Sequence, residues 1–186
     1  MAKILAIDPG SEQSAYVMWD TERHDFAIDG GMGDGAGPPI DDKAILPNEE
    51  MHNVVSRAII NVDIDLVAIE MIQCYGHAVG RSTFQTILFI GSIMQTAGYE
   101  MAVVPTVIPV RLYARTTIKG ALGGCKTDAD VRQAIRQRYG EARKGEKLEG
   151  VVKDIWSALA LAIVLEENPN LKTWIMLLFC CLGLTT

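Results

Sequence analysis

Two short apolar runs in this chain each end in a single acidic residue, and no other feature limits the possible folds as strongly. Residues 3–7 are followed by Asp8 in an Asp-Pro-Gly turn, and residues 66–69 are followed by Glu70. Because the runs are short and apolar, and because proline and glycine interrupt regular structure, both runs are predicted to be buried β-strands. The ends of neighbouring strands can converge at one edge of a sheet. The two carboxylates are therefore candidates for a shared site at such an edge.

The rest of the chain predicts a single α/β domain. Three early strands form an antiparallel meander, and alternating helices and strands follow, which fits a mixed sheet with helices on both faces. Asn48 and Thr127 are predicted N-caps of two of the helices. The predicted elements are strands at 3–7, 14–19, 24–28, 66–69 and 101–104, and helices at 48–61, 80–97, 127–139 and 150–166. We assign residues 1–170 to this domain and residues 171–186 to an apolar C-terminal tail.

The composition suits one globular domain, with 49% hydrophobic and 22% charged residues among 186. The formal net charge is −6, which counts mildly against nucleic-acid binding, although a cluster of metal-binding carboxylates would itself lower the sum. The four cysteines form no Cys-x-x-Cys pair, which indicates a reduced, cytoplasmic protein. The apolar stretch 174–184 is shorter than the roughly 20 residues of a membrane-spanning helix. We expect it to pack on the domain or on a second subunit, not on a membrane.

A third acid, Asp154, lies at the start of the last predicted helix in otherwise apolar sequence. An ionised carboxylate near a core is costly unless it is paired, and several carboxylates together repel one another unless they share a cation. Oxygen ligands of this kind suit Mg²⁺ or Mn²⁺. Two such ions about 3.5–4 Å apart can activate a water and stabilise the leaving oxygen of a phosphodiester. Asp8, Glu70 and Asp154 therefore favour a metal-dependent hydrolase with two ions.

The segments around these acids resemble the motifs of RuvC-type Holliday junction resolvases, especially the phage-borne members. They read Ile-Leu-Ala-Ile-Asp-Pro-Gly-Ser, then Ala-Ile-Glu-Met with Cys-Tyr-Gly-His-Ala-Val-Gly-Arg-Ser, and finally Lys-Asp-Ile-Trp-Ser-Ala-Leu-Ala-Leu-Ala. The similarity extends over residues 3–166. It implies an RNase H-like mixed five-stranded sheet flanked by helices. It also implies an endonuclease of DNA recombination and repair that resolves four-way junctions by paired nicks.

Carried over to this chain, the resemblance makes Asp8, Glu70 and Asp154 the catalytic residues and metal ligands. Bacterial RuvC enzymes place a further acid three residues after the first acid of the last motif, and this chain has Ser157 there. A hydroxyl is a poorer metal ligand than a carboxylate, although it can hold a bound water. We therefore expect one metal to be bound more weakly, with Ser157 contributing through water.

DNA-binding residues are expected in two segments. By resemblance, residues 73–82 lie over the exchange point of the junction, where an aromatic face can stack on an unstacked base and glycines allow close approach of the backbone. A glycine-rich loop between lysines resembles the family's basic segment and would contact phosphates. The predicted DNA-binding residues are Gln73, Tyr75, Gly76, His77, Arg81, Arg111, Arg115, Lys119 and Lys126.

The expected partners are branched DNA and a second copy of the chain. Junctions offer two related strands, so RuvC-type enzymes act as symmetric dimers. Helix 80–97 is the predicted interface, since its apolar residues exceed one stripe. No nucleotide cofactor is expected, because the glycine-rich loop lacks P-loop spacing.

Three alternatives to a junction resolvase stay open on sequence alone. An actin-like ATPase also begins with a strand ending in an acid, but it needs a second half of similar fold. A non-catalytic junction-binding module is motivated by Ser157 and the acidic composition. A general branch or flap nuclease of the RNase H-like superfamily would carry the same three acids.

Overall fold

The fold is seen in a computed structural model that describes residues 3–27, 41–62, 64–73, 78–103, 108–168 and 170–171. Within these ranges one sheet is built from six strands, which are β1 Lys3–Asp8, β2 Gln13–Asp20, β3 Asp25–Phe26, β4 Lys43–Pro47, β5 Leu66–Met71 and β6 Val110–Ala114. The described helices are α1 Asn48–Arg57, α2 Arg81–Val103, α3 Arg115–Ala121, α4 Asp128–Tyr139 and α5 Ile155–Glu167. A π-helical turn, Ala58–Val62, extends α1.

The sheet is mixed, with the strand order β3-β2-β1-β5-β6, and β4 also pairs with β2. Strand β2 is antiparallel to β1, β3 and β4, whereas β1, β5 and β6 run parallel to one another. In the parallel half, Ile7 lies beside Ile69, and Glu70 lies beside Tyr113. The carboxyl ends of the three parallel strands therefore meet at one edge of the sheet.

Alternation along the strands divides the core into two layers, because successive side chains point to opposite faces. On one face, Ile4, Ala6 and Leu66 pack with α5, which is buried along almost its whole length. On the other face, Leu5 and Ile7 belong to a second core that includes residues of α1 and α2. Trp19 and Trp156 are both buried in the α5 layer.

The antiparallel meander and the mixed sheet flanked by helices are confirmed, but the structure corrects several element boundaries. The sheet has a sixth strand, β4, which the sequence pattern did not predict and which pairs along the outer edge of β2. The strand predicted at residues 101–104 is wrong, since α2 continues to Val103. No proline lies between Gly80 and Pro105, so the helix is free to extend.

Two predicted helix caps have different outcomes. Thr127 caps α4 as expected, and it forms a reciprocal capping box with Asp130. The prediction for Asn48 is wrong, because Pro47 occupies the cap position of α1 and makes no side-chain cap bond. The Asn48 side chain instead donates to the Gly10 carbonyl oxygen (3.1 Å) and accepts from the Ser14 hydroxyl (2.6 Å). It therefore fixes the turn that follows β1.

Gly10 is required in that turn. A Cβ at this position would lie 2.1 Å from the Gln13 carbonyl oxygen, which no real side chain allows. The Asp-Pro-Gly sequence thus ends β1 sharply and returns the chain into β2.

None of the described helices is both long enough and apolar enough to cross a membrane. The apolar stretch 174–184 lies outside the described residues.

Candidate active site

Asp8 and Glu70 lie on neighbouring strands at the carboxyl edge of the sheet. Strands β1 and β5 are parallel and in register up to Ile7 and Ile69, so Asp8 and Glu70 follow on the next rung. Asp8 lies two residues after Ala6, which faces the α5 layer, so its side chain projects to the same face of the sheet. Glu70 holds the equivalent place on β5 and projects to that face as well. The sequence prediction that these two acids share one edge is consistent with this placement.

Asp154 and Ser157 come from the start of α5. Asp154 is exposed and occupies the N-cap position of that helix without a side-chain cap bond. The residue before it, Lys153, has a φ of 43°, a left-handed conformation that is uncommon for a residue other than glycine. Ser157 lies one turn further on, and its hydroxyl acts to lower the pKa of the Asp8 carboxyl.

Arg115, the first residue of α3, reaches into the acidic centre. Its Nη1 donates to Glu70 Oε1 at 2.6 Å and its Nη2 donates to Asp128 Oδ1 at 2.8 Å. Both of these nitrogens also lie 3.4 Å from Ser157 Oγ. The Glu70 side chain is only 8% exposed and that of Arg115 is 35% exposed. The sequence predicted Arg115 as a DNA contact, whereas its guanidinium here binds the side chains of the acidic centre.

Asp128 is a site residue that the sequence analysis missed. It is the first residue of α4, where it reads as an ordinary acid in a helical first turn. Its Oδ1 also lies 2.9 Å from Lys119 Nζ, so one carboxylate holds two cations, Arg115 and Lys119. Only the three-dimensional placement of α3 against α4 reveals this role.

The charged groups of the site shift one another's pKa values. Burial, followed by repulsion from Glu70, raises the pKa of Asp8 to about 7, while Arg115 and Ser157 act in the opposite direction. Burial raises the pKa of Glu70 as well, against the opposing effect of Arg115. Hydrogen bonds from Lys119 and Arg115 lower the pKa of Asp128 to about 2. Asp8 is thus the group whose negative charge is least compensated by neighbouring side chains.

These residues line a cavity of about 140 Å³. Its walls carry four acids and four cations, namely Asp8, Glu70, Asp128, Asp154, Arg115, Lys119, Arg132 and Lys153. Within the described ranges, no group of three or more His, Cys, Asp or Glu side chains is arranged to hold a single ion. Mg²⁺ keeps several waters and is often bound through only one or two carboxylates. The donor chemistry of Asp8 and Glu70 fits such an ion, with Asp154 at the rim.

A second, larger cavity of about 590 Å³ adjoins the first and shares Glu70, Arg115 and Lys119 with it. Gln73, Thr116, Gly120, Gly124 and Lys126 are among its further lining residues. The Gln73 Oε1 atom accepts a hydrogen bond from the Thr116 hydroxyl at 2.9 Å. This cavity joins the predicted basic loop to the acidic centre.

The other predicted DNA-binding residues are not brought together here. Arg81 is exposed at the start of α2. Arg111 lines neither of the two cavities, and its side chain hydrogen-bonds to Tyr113. Tyr75, Gly76 and His77 lie outside the described residues.

Solved structures of known proteins share this arrangement of elements. A structure of Thermus thermophilus RuvC matches with a TM-score of 0.60 at 16% identity, over 92% of this chain and 99% of that chain. The T. thermophilus RuvC structure in complex with a Holliday junction substrate matches with a TM-score of 0.56 at 14% identity, over 91% and 95%. The chain has the RNase H-like fold of RuvC.

Similarity at this level is confined to the fold. The Holliday junction resolvase of fowlpox virus also aligns, at 17% identity over 89% of this chain and 99% of that chain, but with a TM-score of only 0.38. No protein-family model matches the sequence, and no curated protein matches it either. The resemblance to phage-borne members stays a prediction.

Proposed function

We propose that this chain is a structure-selective endonuclease that resolves four-way DNA junctions by metal-dependent hydrolysis with paired nicks. The observation that carries the proposal is the pair of half-buried and buried carboxylates, Asp8 and Glu70, on adjacent parallel strands beside a cavity. A fold built only for stability gains nothing from two repelling acids at this edge. Perturbed acids in a cleft are typical of functional sites.

The proposed chemistry assigns separate roles to the residues of the cavity. Asp8 and Glu70, with Asp154 at the rim, would hold Mg²⁺ or Mn²⁺. When bound, such an ion polarises the scissile phosphate and lowers the pKa of a water. The Ser157 hydroxyl, which lies with Asp8 on the cavity wall, would favour the ionised form of that carboxylate. The partly enclosed cavity limits access of bulk water to the reacting phosphate.

DNA would enter through the larger cavity. Lys126 is exposed on its wall, and Lys119 lies between that wall and the acidic centre. Lysines bind phosphates without reading sequence, so they would set the position of the strand and not its sequence. Gly120 and Gly124 add no side chains to this wall, and a Cβ at either position would meet no atom within 4 Å. The backbone is therefore open to close approach by a sugar-phosphate strand.

A second copy of the chain is the proposed protein partner, and α2 is the proposed contact. Three of its exposed apolar side chains lie close together near the start of the helix, namely Phe84, Ile87 and Leu88, with exposed fractions of 58%, 46% and 72%. They follow helical spacing i, i+3 and i+4, so they form one stripe, and exposed Gly91 continues it. The other apolar residues of the predicted interface are turned to the core: Phe89, Ile90 and Ile93 are buried and Met94 is partly buried. An unpaired apolar stripe suits a two-fold contact between identical helices.

The experiment that tests the function is cleavage of an end-labelled synthetic four-way junction, beside a linear duplex and a fork, in Mg²⁺ and in Mn²⁺. We expect paired nicks on the junction alone. Asp8→Asn is expected to bind the junction with unchanged affinity and to abolish cleavage. Cleavage by this variant at the wild-type rate would show that the site is assigned wrongly.

Two other outcomes would replace the proposal. Equal cutting of forks, flaps and junctions would indicate a general branch nuclease. Tight junction binding without cleavage in either metal would indicate a non-catalytic binding protein. The observation that favours the latter is the ion pair of Arg115 with Glu70, together with Ser157 where the family has an acid.

A further inference from the structure

The acidic centre contains a cation of its own. Arg115 hydrogen-bonds to Glu70 at 2.6 Å, and the same guanidinium bonds Asp128 at 2.8 Å. Glu70 is almost fully buried, so this contact has little competition from water. Arg115 is therefore held from both sides, because Asp128 binds one end of its fork while Glu70 binds the other.

The residue at position 157 contributes to the placement of the Arg115 guanidinium. Ser157 Oγ lies 3.4 Å from both terminal nitrogens of Arg115 and lines the same cavity as Asp8. The serine is thus part of the contact between the guanidinium and the acids. Its hydroxyl carries no charge to bind a metal ion. The same position therefore offers a polar partner to Arg115 and lacks a strong ligand for a second metal.

The charges around the cavity favour the binding of one metal ion over the binding of two. Four acids and four cations line it, so their formal charges cancel before any ion binds. One divalent ion and one DNA phosphate would leave a net charge of plus one, whereas two divalent ions would leave plus three. Such an excess of like charge repels a second ion, most strongly beside the half-buried Asp8 and the buried Glu70.

We propose that Arg115 serves as the second cation of this active site, so that the chain binds one divalent metal where a two-metal centre would bind two. The guanidinium neutralises Glu70 in the resting site and competes with a metal ion for that carboxylate. The inference rests on the proposed nuclease function for its catalytic meaning, but metal binding can be measured whether or not the chain cuts DNA.

The test is titration of the full chain with Mn²⁺ by isothermal calorimetry, with no DNA present. We expect one ion per chain for the wild type and for Arg115→Lys, which keeps the charge. Arg115→Gln removes the competitor for Glu70, so its Mn²⁺ affinity should rise on the order of tenfold. Arg115→Gln combined with Ser157→Asp should bind two ions. Arg143→Gln is the matched control, since Arg143 is an exposed arginine that lines neither cavity, and it should bind as the wild type does.

Circular dichroism identifies any variant that does not fold. If Arg115→Gln is such a variant, the ion count of Arg115→Lys still tests the proposal. Loss of the single ion in Arg115→Lys, or two ions in the wild type, would overturn the proposal. So would an Arg115→Gln protein whose affinity and stoichiometry match the wild type. Failure of the wild type to cut any branched DNA would instead refute the nuclease function, while the ion count would still decide the role of Arg115.

Discussion

Replacing Asp8 by asparagine should stabilise the metal-free protein at high pH while abolishing its proposed activity. Asp8 is packed at the end of β1, close to the Glu70 carboxylate and largely removed from water. Asparagine has nearly the same shape, but it carries no charge. The substitution therefore removes the burial cost and the repulsion of an ionised acid without opening a cavity.

The size of the effect follows from the pKa of Asp8, which burial and then Glu70 raise from 3.8 to about 7. One pKa unit corresponds to about 1.36 kcal/mol, so ionising Asp8 in the native state costs at most about 4 kcal/mol relative to the unfolded chain. Between about pH 4 and pH 7 the native state binds more protons at this site than the unfolded state does. The free energy of unfolding therefore decreases as pH rises through that window and levels off above it.

Urea unfolding followed by circular dichroism, in buffer containing EDTA, measures the effect. At pH 8, Asp8→Asn should be more stable than the wild type by about 1–4 kcal/mol, the upper limit being full ionisation. At pH 4.5 that advantage should fall to about 1 kcal/mol or less, because Asp8 is then protonated in the native wild type but still largely ionised in the unfolded chain. Adding Mg²⁺ at pH 8 should stabilise the wild type and leave Asp8→Asn almost unchanged.

Glu12→Gln is the control, since it removes one exposed carboxylate near the same edge and should change stability by no more than about 0.5 kcal/mol at either pH. An advantage of Asp8→Asn that is the same at pH 4.5 and pH 8 would refute the reasoning. A variant less stable than the wild type at pH 8 would refute it as well, because the charge at Asp8 would then be compensated in the fold.

Three further predictions concern other parts of the chain. Thr127→Ala removes the capping box with Asp130 and should lower the free energy of unfolding by about 1 kcal/mol, with Thr127→Ser close to the wild type. Leu88→Lys should convert the proposed dimer to a monomer in light scattering after size exclusion, whereas Ile60→Lys, which alters an exposed apolar residue outside α2, should leave it dimeric. Lys126→Gln should weaken junction binding and lower the slope of log K against log salt by about 0.9, the contribution of one phosphate contact.

The sequence sufficed to predict where Asp8 and Glu70 lie because each follows an apolar strand, and parallel strands end at a common edge. Burial on both faces makes such strands nearly continuous runs of apolar residues, and this is a strong local signal. The edge strand β4 carries no comparable signal, since all of its residues are only partly buried. The pairing of β4 with β2 is decided by the fold, so local pattern could not predict it.

The role of Arg115 could not be predicted, because the sequence pattern misplaced the last strand of the sheet. Residues 101–103 extend α2, and the strand that follows Glu70 in the sheet is β6, at residues 110–114. Arg115 directly follows β6, so its distance from Glu70 is set by a strand pairing that the sequence did not predict. Asp128 binds the same guanidinium from the start of α4. Acids at strand ends can thus be found from local sequence, whereas the cation that balances them is found only when the strand order is known.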